Sequence, residues 1–140
     1  LFQMLNPRGV GLKYGPLTIE RQALGLPNGM HLKYPGLYYS AGNFMYKTDR
    51  SVIRTHGPRV TENVVQALSR LVITDQMLDI QSLPEVDIVL QVHDEIIAIG
   101  SKLQADDTMN RIIDIMRTAP EWCSDLPLDA EGGVSKVYDK

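Results

Sequence analysis

Residues Val86–Ser101 read VDIVLQVHDEIIAIGS, an apolar run interrupted at its centre by His93, Asp94 and Glu95. Ile88, Leu90 and Val92 alternate with Val89 and Gln91, and Ile97 and Ile99 alternate with Ile96 and Ala98. This period of two predicts two strands that are apolar on both faces, as in a sheet covered on both sides. The break at His93-Asp94 predicts a two-residue turn that pairs Val92 with Glu95 and Gln91 with Ile96, aspartate being a common turn residue. Two readings of the tip stay open. It is a polar hairpin end in water, or it is a cation site, because desolvation and mutual repulsion both disfavour two adjacent carboxylates and a divalent ion relieves both. Hard oxygen ligands of this kind select Mg²⁺ or Mn²⁺. Adjacent residues of a strand point to opposite faces, so Asp94 and Glu95 cannot face one ion squarely and another carboxylate has to come from elsewhere. Asp75 and Asp79 fall on a predicted helix, and Asp106 and Asp107 are explained as acids at a helix start.

On the N-terminal side of this stretch, Val60 to about Leu83 contains neither Gly nor Pro, and Val64, Leu68, Leu71, Val72 and Asp75 recur at spacings of three and four. That pattern predicts a helix, with Pro84 just past its end. On the C-terminal side, Met109, Ile112, Ile113 and Met116 form one stripe behind Asp106 and Asp107, whose charges complement the dipole of a helix that stops before Pro120. Residues 1–57 carry NPRG, YGP, LPNG, YPG and HGP at short intervals, which leaves room only for short strands and loops. GLPNGMHLKYPGLYYS reads as a hairpin around Pro27-Asn28-Gly29, and NFMYKTDRSVIRTHG as a second pair of strands. The expected class is therefore α+β: an antiparallel hairpin or sheet packed with two main helices over residues 60–140, preceded by a loop-rich β-hairpin region over residues 1–59.

The 140-residue chain, 44% hydrophobic and 22% charged, has the composition of an ordinary globular protein rather than a disordered one. No apolar run is long enough to span a bilayer, and no secretory leader opens the chain. Cys123 is the single cysteine and has no internal disulfide partner, which points to the reducing cytoplasm. The chain begins at Leu1 in irregular sequence, so a larger protein is expected to continue upstream. Net charge is −3 but uneven: residues 1–59 hold eight basic and two acidic side chains, net +6, whereas residues 60–140 are net −9. Five of the six tyrosines also lie in the basic part. Interleaved cations and aromatics suit a phosphate backbone and its bases, and Lys33 and Arg59 are the cations best placed for it; a solvated, loop-rich surface has the same composition. His31 and His56 lie in turns, with surface or structural roles expected.

The segment QVHDEI, Gln91–Ile96, resembles motif C of the family A DNA polymerases, the bacterial polymerase I-like enzymes. Their palm hairpin carries a metal-binding aspartate at its turn, followed by glutamate. ENVVQALSRLVITDQML is similar to the helix these enzymes place before motif C, and IIDIMRTAPEWCSDLPLDAEGGVSKVYDK resembles the end of phage-type members. LPNGMHLKYPGL is similar to the hairpin between their fingers and that helix. The resemblance covers roughly residues 20–140 in the family's order and implies the C-terminal part of a palm, ending naturally at Lys140. Two departures stand out: Glu62 occupies a position where many members carry asparagine, and the final VYDK is shorter than the usual string.

What the resemblance implies is nucleotidyl transfer, in which a primer 3′-hydroxyl attacks the α-phosphate of a dNTP between two Mg²⁺ or Mn²⁺ ions. Asp94 would be the metal ligand, Glu95 an auxiliary catalytic carboxylate, and His93 a contact to the primer strand. Gln66 would reach the minor groove of the primer–template, and Asn63 and Arg59 lie near positions of polar or basic DNA contacts. The sequence holds neither the DYSxxE-like segment that brings the second metal-binding aspartate nor the KxxxxxxYG helix that holds the triphosphate. The implied partners are therefore primer–template DNA, dNTP and the rest of the polymerase, namely upstream palm, fingers and thumb. The chain alone is not expected to polymerise. A non-catalytic DNA-binding or assembly module with the same palm fold is the alternative.

Overall fold

The chain forms two compact units, Leu1–Ser69 and Arg70–Lys140, and one long helix contributes residues to each. The computed structural model describes residues 1–138. It is an α+β structure in which every strand pair is antiparallel. The family-like final string extends to Asp139 and Lys140 and so lies partly outside the described residues.

In the first unit a short helix α1 (Phe2–Leu5) precedes a four-stranded sheet of β1 (Lys13–Tyr14), β2 (Leu17–Glu20), β3 (Ala23–Gly25) and β4 (His31–Lys33), in that order. The predicted hairpin joins β3 to β4. Leu26 N–H donates to the Met30 carbonyl at 2.8 Å, and the Asn28 side chain accepts from Met30 N–H at 3.1 Å. Gly29 takes a φ of +80°, which glycine adopts without the penalty a Cβ would bring. Strands β5 (Tyr38–Ser40), β6 (Asn43–Lys47) and β7 (Val52–Thr55) make a second sheet, as the NFMYKTDRSVIRTHG pattern predicts.

Register sorts the side chains of the first sheet. Ile19 pairs with Leu24 and Leu24 with Leu32, so these three share a face. That face belongs to the core of Met4, Ile19, Leu24, Tyr34, Leu37 and Val60, against which Leu32, Phe44, Tyr46 and Val64 pack. Burying an aliphatic or aromatic side chain of this size contributes about 1.5–3 kcal/mol.

Helix α2 runs Gly57–Gln81, three residues earlier than its apolar periodicity suggests. His56 explains the difference. Its ring Nδ1 accepts from Arg59 N–H at 3.3 Å and its carbonyl from Val60 N–H at 3.1 Å, so histidine caps the helix in the manner of Ser or Asp. Pro58 then sits in the first turn, where a missing N–H costs nothing. Position 75 needs correction as well. Asp75 is exposed, and the buried line of Leu71 and Val72 continues through Gln76 to Ile80, which is fully enclosed.

In the second unit β8 (Val86–Val92) and β9 (Glu95–Gly100) form the expected hairpin, followed by α3 (Ala105–Arg117). Val92 pairs with Glu95 and Gln91 with Ile96, as the sequence predicts. The expectation of strands covered on both faces does not hold, since the sheet has two strands and Val89, Leu90 and Ile99 are exposed. A bulge causes part of this. Ile88 faces Ala98 but Leu90 faces Ile97, so Val89 is supernumerary and Ile88 and Leu90 fall on opposite faces. Asp106 and Asp107 occupy the first turn of α3, and Met109, Ile112, Ile113 and Met116 are all half-buried.

Tyr34 provides a pH-dependent probe of the first core. Its ring is 3% exposed, meets Tyr46 edge-on at 5.4 Å, and its hydroxyl accepts from Asn63 Nδ2 at 3.2 Å. Burial holds the phenol above its ordinary value, Tyr46 adds to this, and the Asn63 bond opposes it. A folded-state value above the unfolded one means that stability is level below about pH 10 and falls as pH rises through the folded-state value. Denaturant unfolding from pH 8 to 11 is expected to show this loss, and Tyr34→Phe, about 1 kcal/mol less stable at pH 8, is expected to show less of it.

Candidate functional site

The tip of the β8–β9 hairpin is built by its register. With Val92 opposite Glu95, only His93 and Asp94 remain to reverse the chain. His93 takes a φ of +54°, a conformation in which histidine is several-fold commoner than most side chains. Both turn residues are exposed, and Glu95 is half-buried at the start of β9. Inside the turn, the Gln91 side-chain amide donates to the His93 carbonyl, while its oxygen accepts from the Arg70 guanidinium. A polar residue in an apolar strand thus ties the turn to α2. Gln91 and Arg70 were not candidates from the sequence, and the only signal was a glutamine breaking the apolar run two residues before the turn.

Chemically, Asp94 and Glu95 offer hard oxygens of the kind Mg²⁺ or Mn²⁺ takes, but too few. Near-octahedral coordination needs six oxygens, and no group of three or more His, Cys, Asp or Glu side chains able to hold a metal occurs among the described residues. Asp94 and Glu95 by themselves therefore do not make a complete shell.

The remaining candidates lie in the first unit. Arg59, Asn63 and Gln66 follow one another at helical spacing on α2, and Arg70 continues the series. Arg59 and Gln66 are exposed; Gln66 Nε2 donates to Glu62 Oε1 at 3.3 Å. Asn63 is committed to Tyr34, so its amide supports the core. Lys33 is exposed on the edge strand β4. Of the tyrosines in the basic region, Tyr34 packs on Tyr46 and Tyr39 on Phe2 and Phe44, while Tyr14 is 56% exposed. His31 lies in strand β4 rather than in a turn, and its Nε2 is 3.0 Å from Glu20 Oε1 across β3. Burial and the Asp125 carboxylate push the Cys123 thiol up, away from nucleophilic character.

No protein-family model, curated protein or solved structure matches the chain. No helix among the described residues is long and apolar enough to cross a membrane.

Gln91→Ala is expected to lower stability by about 0.5–1 kcal/mol and to speed hydrogen exchange at the Asp94 and Glu95 amides, since the turn loses its side-chain brace. Unchanged exchange there would show that the hairpin register alone holds the tip.

Proposed function

We propose that this chain is the C-terminal palm portion of a family A DNA polymerase and supplies one metal-binding carboxylate to nucleotidyl transfer. The observation that carries the reading is the turn itself. The register leaves Asp94 at an exposed two-residue tip, with Glu95 beginning the next strand and Gln91 bracing the loop. A family-like string at this position gives a carboxylate that is held by backbone pairing yet open to a ligand.

In this reading Asp94 holds a divalent ion through its carboxylate, and Glu95 acts beside the primer terminus. His93 meets the primer strand. Gln66 approaches the minor groove, where acceptors common to all base pairs allow a shape check without sequence choice. Arg59 and Lys33 contact phosphates. Two divalent ions, when bound, would supply charge stabilisation and lower the pKa of the attacking hydroxyl. The partners are primer–template DNA, dNTP, and the upstream palm, fingers and thumb of the same enzyme, in the cytoplasm. The exposed Val89, Leu90 and Ile99 suit a hairpin that the rest of a palm covers. They equally suit a non-catalytic assembly module, and the role of Asp94 separates the two.

In the enzyme reconstituted with its upstream segments, Asp94→Asn is expected to slow single-turnover extension by about a thousandfold, equivalent to several kcal/mol of transition-state stabilisation, with primer–template affinity largely kept. Glu95→Gln is expected to do less harm. Near-normal extension by Asp94→Asn would leave the assembly module as the reading.

DNA binding has its own signature. Arg59→Ala and Lys33→Ala are each expected to reduce the slope of log affinity against log salt by about 1, because each removes one phosphate contact and its released counterion. Gln66→Ala is expected to keep the slope and lose discrimination against a mismatched primer end. If neither cation variant moves the slope, the basic segment is solvated surface.

A further inference from the structure

The sheet of β5, β6 and β7 has one face on the core and one in water. Phe44 and Tyr46 of β6 pack against the core, and Thr55, opposite Phe44, is buried. Alternation along the strands therefore turns Met45 and Lys47 the other way, together with the residues paired to them. Tyr38 and Arg54 flank Met45 on either side, and Val52 lies opposite Lys47. Tyr38, Lys47, Val52 and Arg54 are all exposed.

An antiparallel sheet with one wet face ordinarily shows polar side chains there. This face instead carries an aromatic ring, a thioether and a guanidinium in one row across three strands. Tyr38 is 39% exposed and Val52 48%. Tyr34, Tyr39 and Tyr46 are held in ring pairs, whereas Tyr38 joins none among the described residues. Lys47 and Arg54 have no acidic partner among the described residues either. Residues 38–55 hold Lys47, Arg50 and Arg54 against one acid, Asp49. The fold thus leaves an aromatic face and two unpaired cations on one surface.

We propose that this outer face binds a single strand of DNA, with a base stacked on the Tyr38 ring and the neighbouring phosphates held by Arg54 and Lys47. Adjacent strands lie roughly 4.8 Å apart, which puts the Tyr38 and Arg54 backbones roughly 10 Å from each other, a span that one nucleotide and the long Arg54 side chain cover together. A single strand is favoured over duplex because an unpaired base offers a π-face that stacking within the duplex hides. Met45 and Val52 beside the ring suit the thymine methyl group and give a ribose 2′-hydroxyl nothing to bond, which favours DNA over RNA. The surface uses none of Arg59, Lys33, Gln66 and Asp94, and so stands apart from the polymerase reading.

The test is a titration of the full 140-residue chain with the oligonucleotide (dT)8, followed by NMR at the Tyr38 ring protons and the Met45 and Arg54 backbone amides. Saturable shifts are expected, with the ring protons moved upfield by the stacked base. An abasic strand of the same length is expected to bind at least tenfold more weakly, because phosphates alone do not stack. Tyr38→Ala is expected to weaken binding at least fivefold and Tyr38→Phe to restore it. Arg54→Ala is expected to weaken it three- to tenfold and to reduce the slope of log affinity against log salt by about 0.7. Arg54 is exposed, so its variant keeps the test valid if Tyr38→Ala does not fold. Lys13→Ala, which removes an exposed cation of the other sheet, is expected to stay within twofold of wild type. Flat titrations, an abasic strand, duplex or octaglutamate binding as tightly at these residues, tighter binding of (U)8, or Lys13→Ala weakening as much as Arg54→Ala would each overturn the proposal.

Discussion

The structure depends on α2, a single uninterrupted 25-residue helix with buried positions in both compact units. Val60 and Val64 belong to the core of the first unit, and Leu71, Val72, Gln76 and Ile80 are buried within the second unit. A helix of this length propagates easily once nucleated, and its N-terminal end is closed at His56-Gly57-Pro58. There a histidine ring and carbonyl take the first free N–H groups, and proline brings a preset φ. The same helix carries the exposed Arg59 and Gln66 in its first half, and Arg70 near its middle donates to the Gln91 side chain.

Polar side chains in the second unit carry structural tasks that apolar ones cannot. Gln91 closes the hairpin tip from within its own strand, and Gln76 caps α3 from α2. In both cases one amide group serves backbone left open by a turn or a helix end. Gln76 does this at the expense of a buried oxygen that finds no partner among the described residues.

Much of the fold was legible because period and turn chemistry agreed. Alternation around His93-Asp94 gave the register of β8 and β9, and Pro27-Asn28-Gly29 gave the β3–β4 hairpin. The misses have physical causes. A bulge at Val89 leaves no mark on composition, so strict alternation wrongly placed Ile88 and Leu90 on one face. A capping histidine is too rare a signal to set a helix start, and Asp75 was placed on the buried stripe because glutamine does not look like a core residue. For the site, the sequence located the turn with Asp94 and Glu95, but the brace from Arg70 through Gln91 depends on contacts twenty-one residues apart. Asn63 bonds to Tyr34, a tertiary contact that local spacing cannot reveal.

In the proposed function, Asp94 at the hairpin tip is a ligand to a divalent ion. Mn²⁺ titration of the 140-residue chain, read as paramagnetic line broadening, tests it most directly. Weak, millimolar-range binding is expected, because one carboxylate and its neighbour make an incomplete shell. Broadening should centre on the Asp94 and Glu95 amides and vanish there in Asp94→Asn. Broadening that centres instead on Asp106 and Asp107, or persists at the tip in Asp94→Asn, would contradict it.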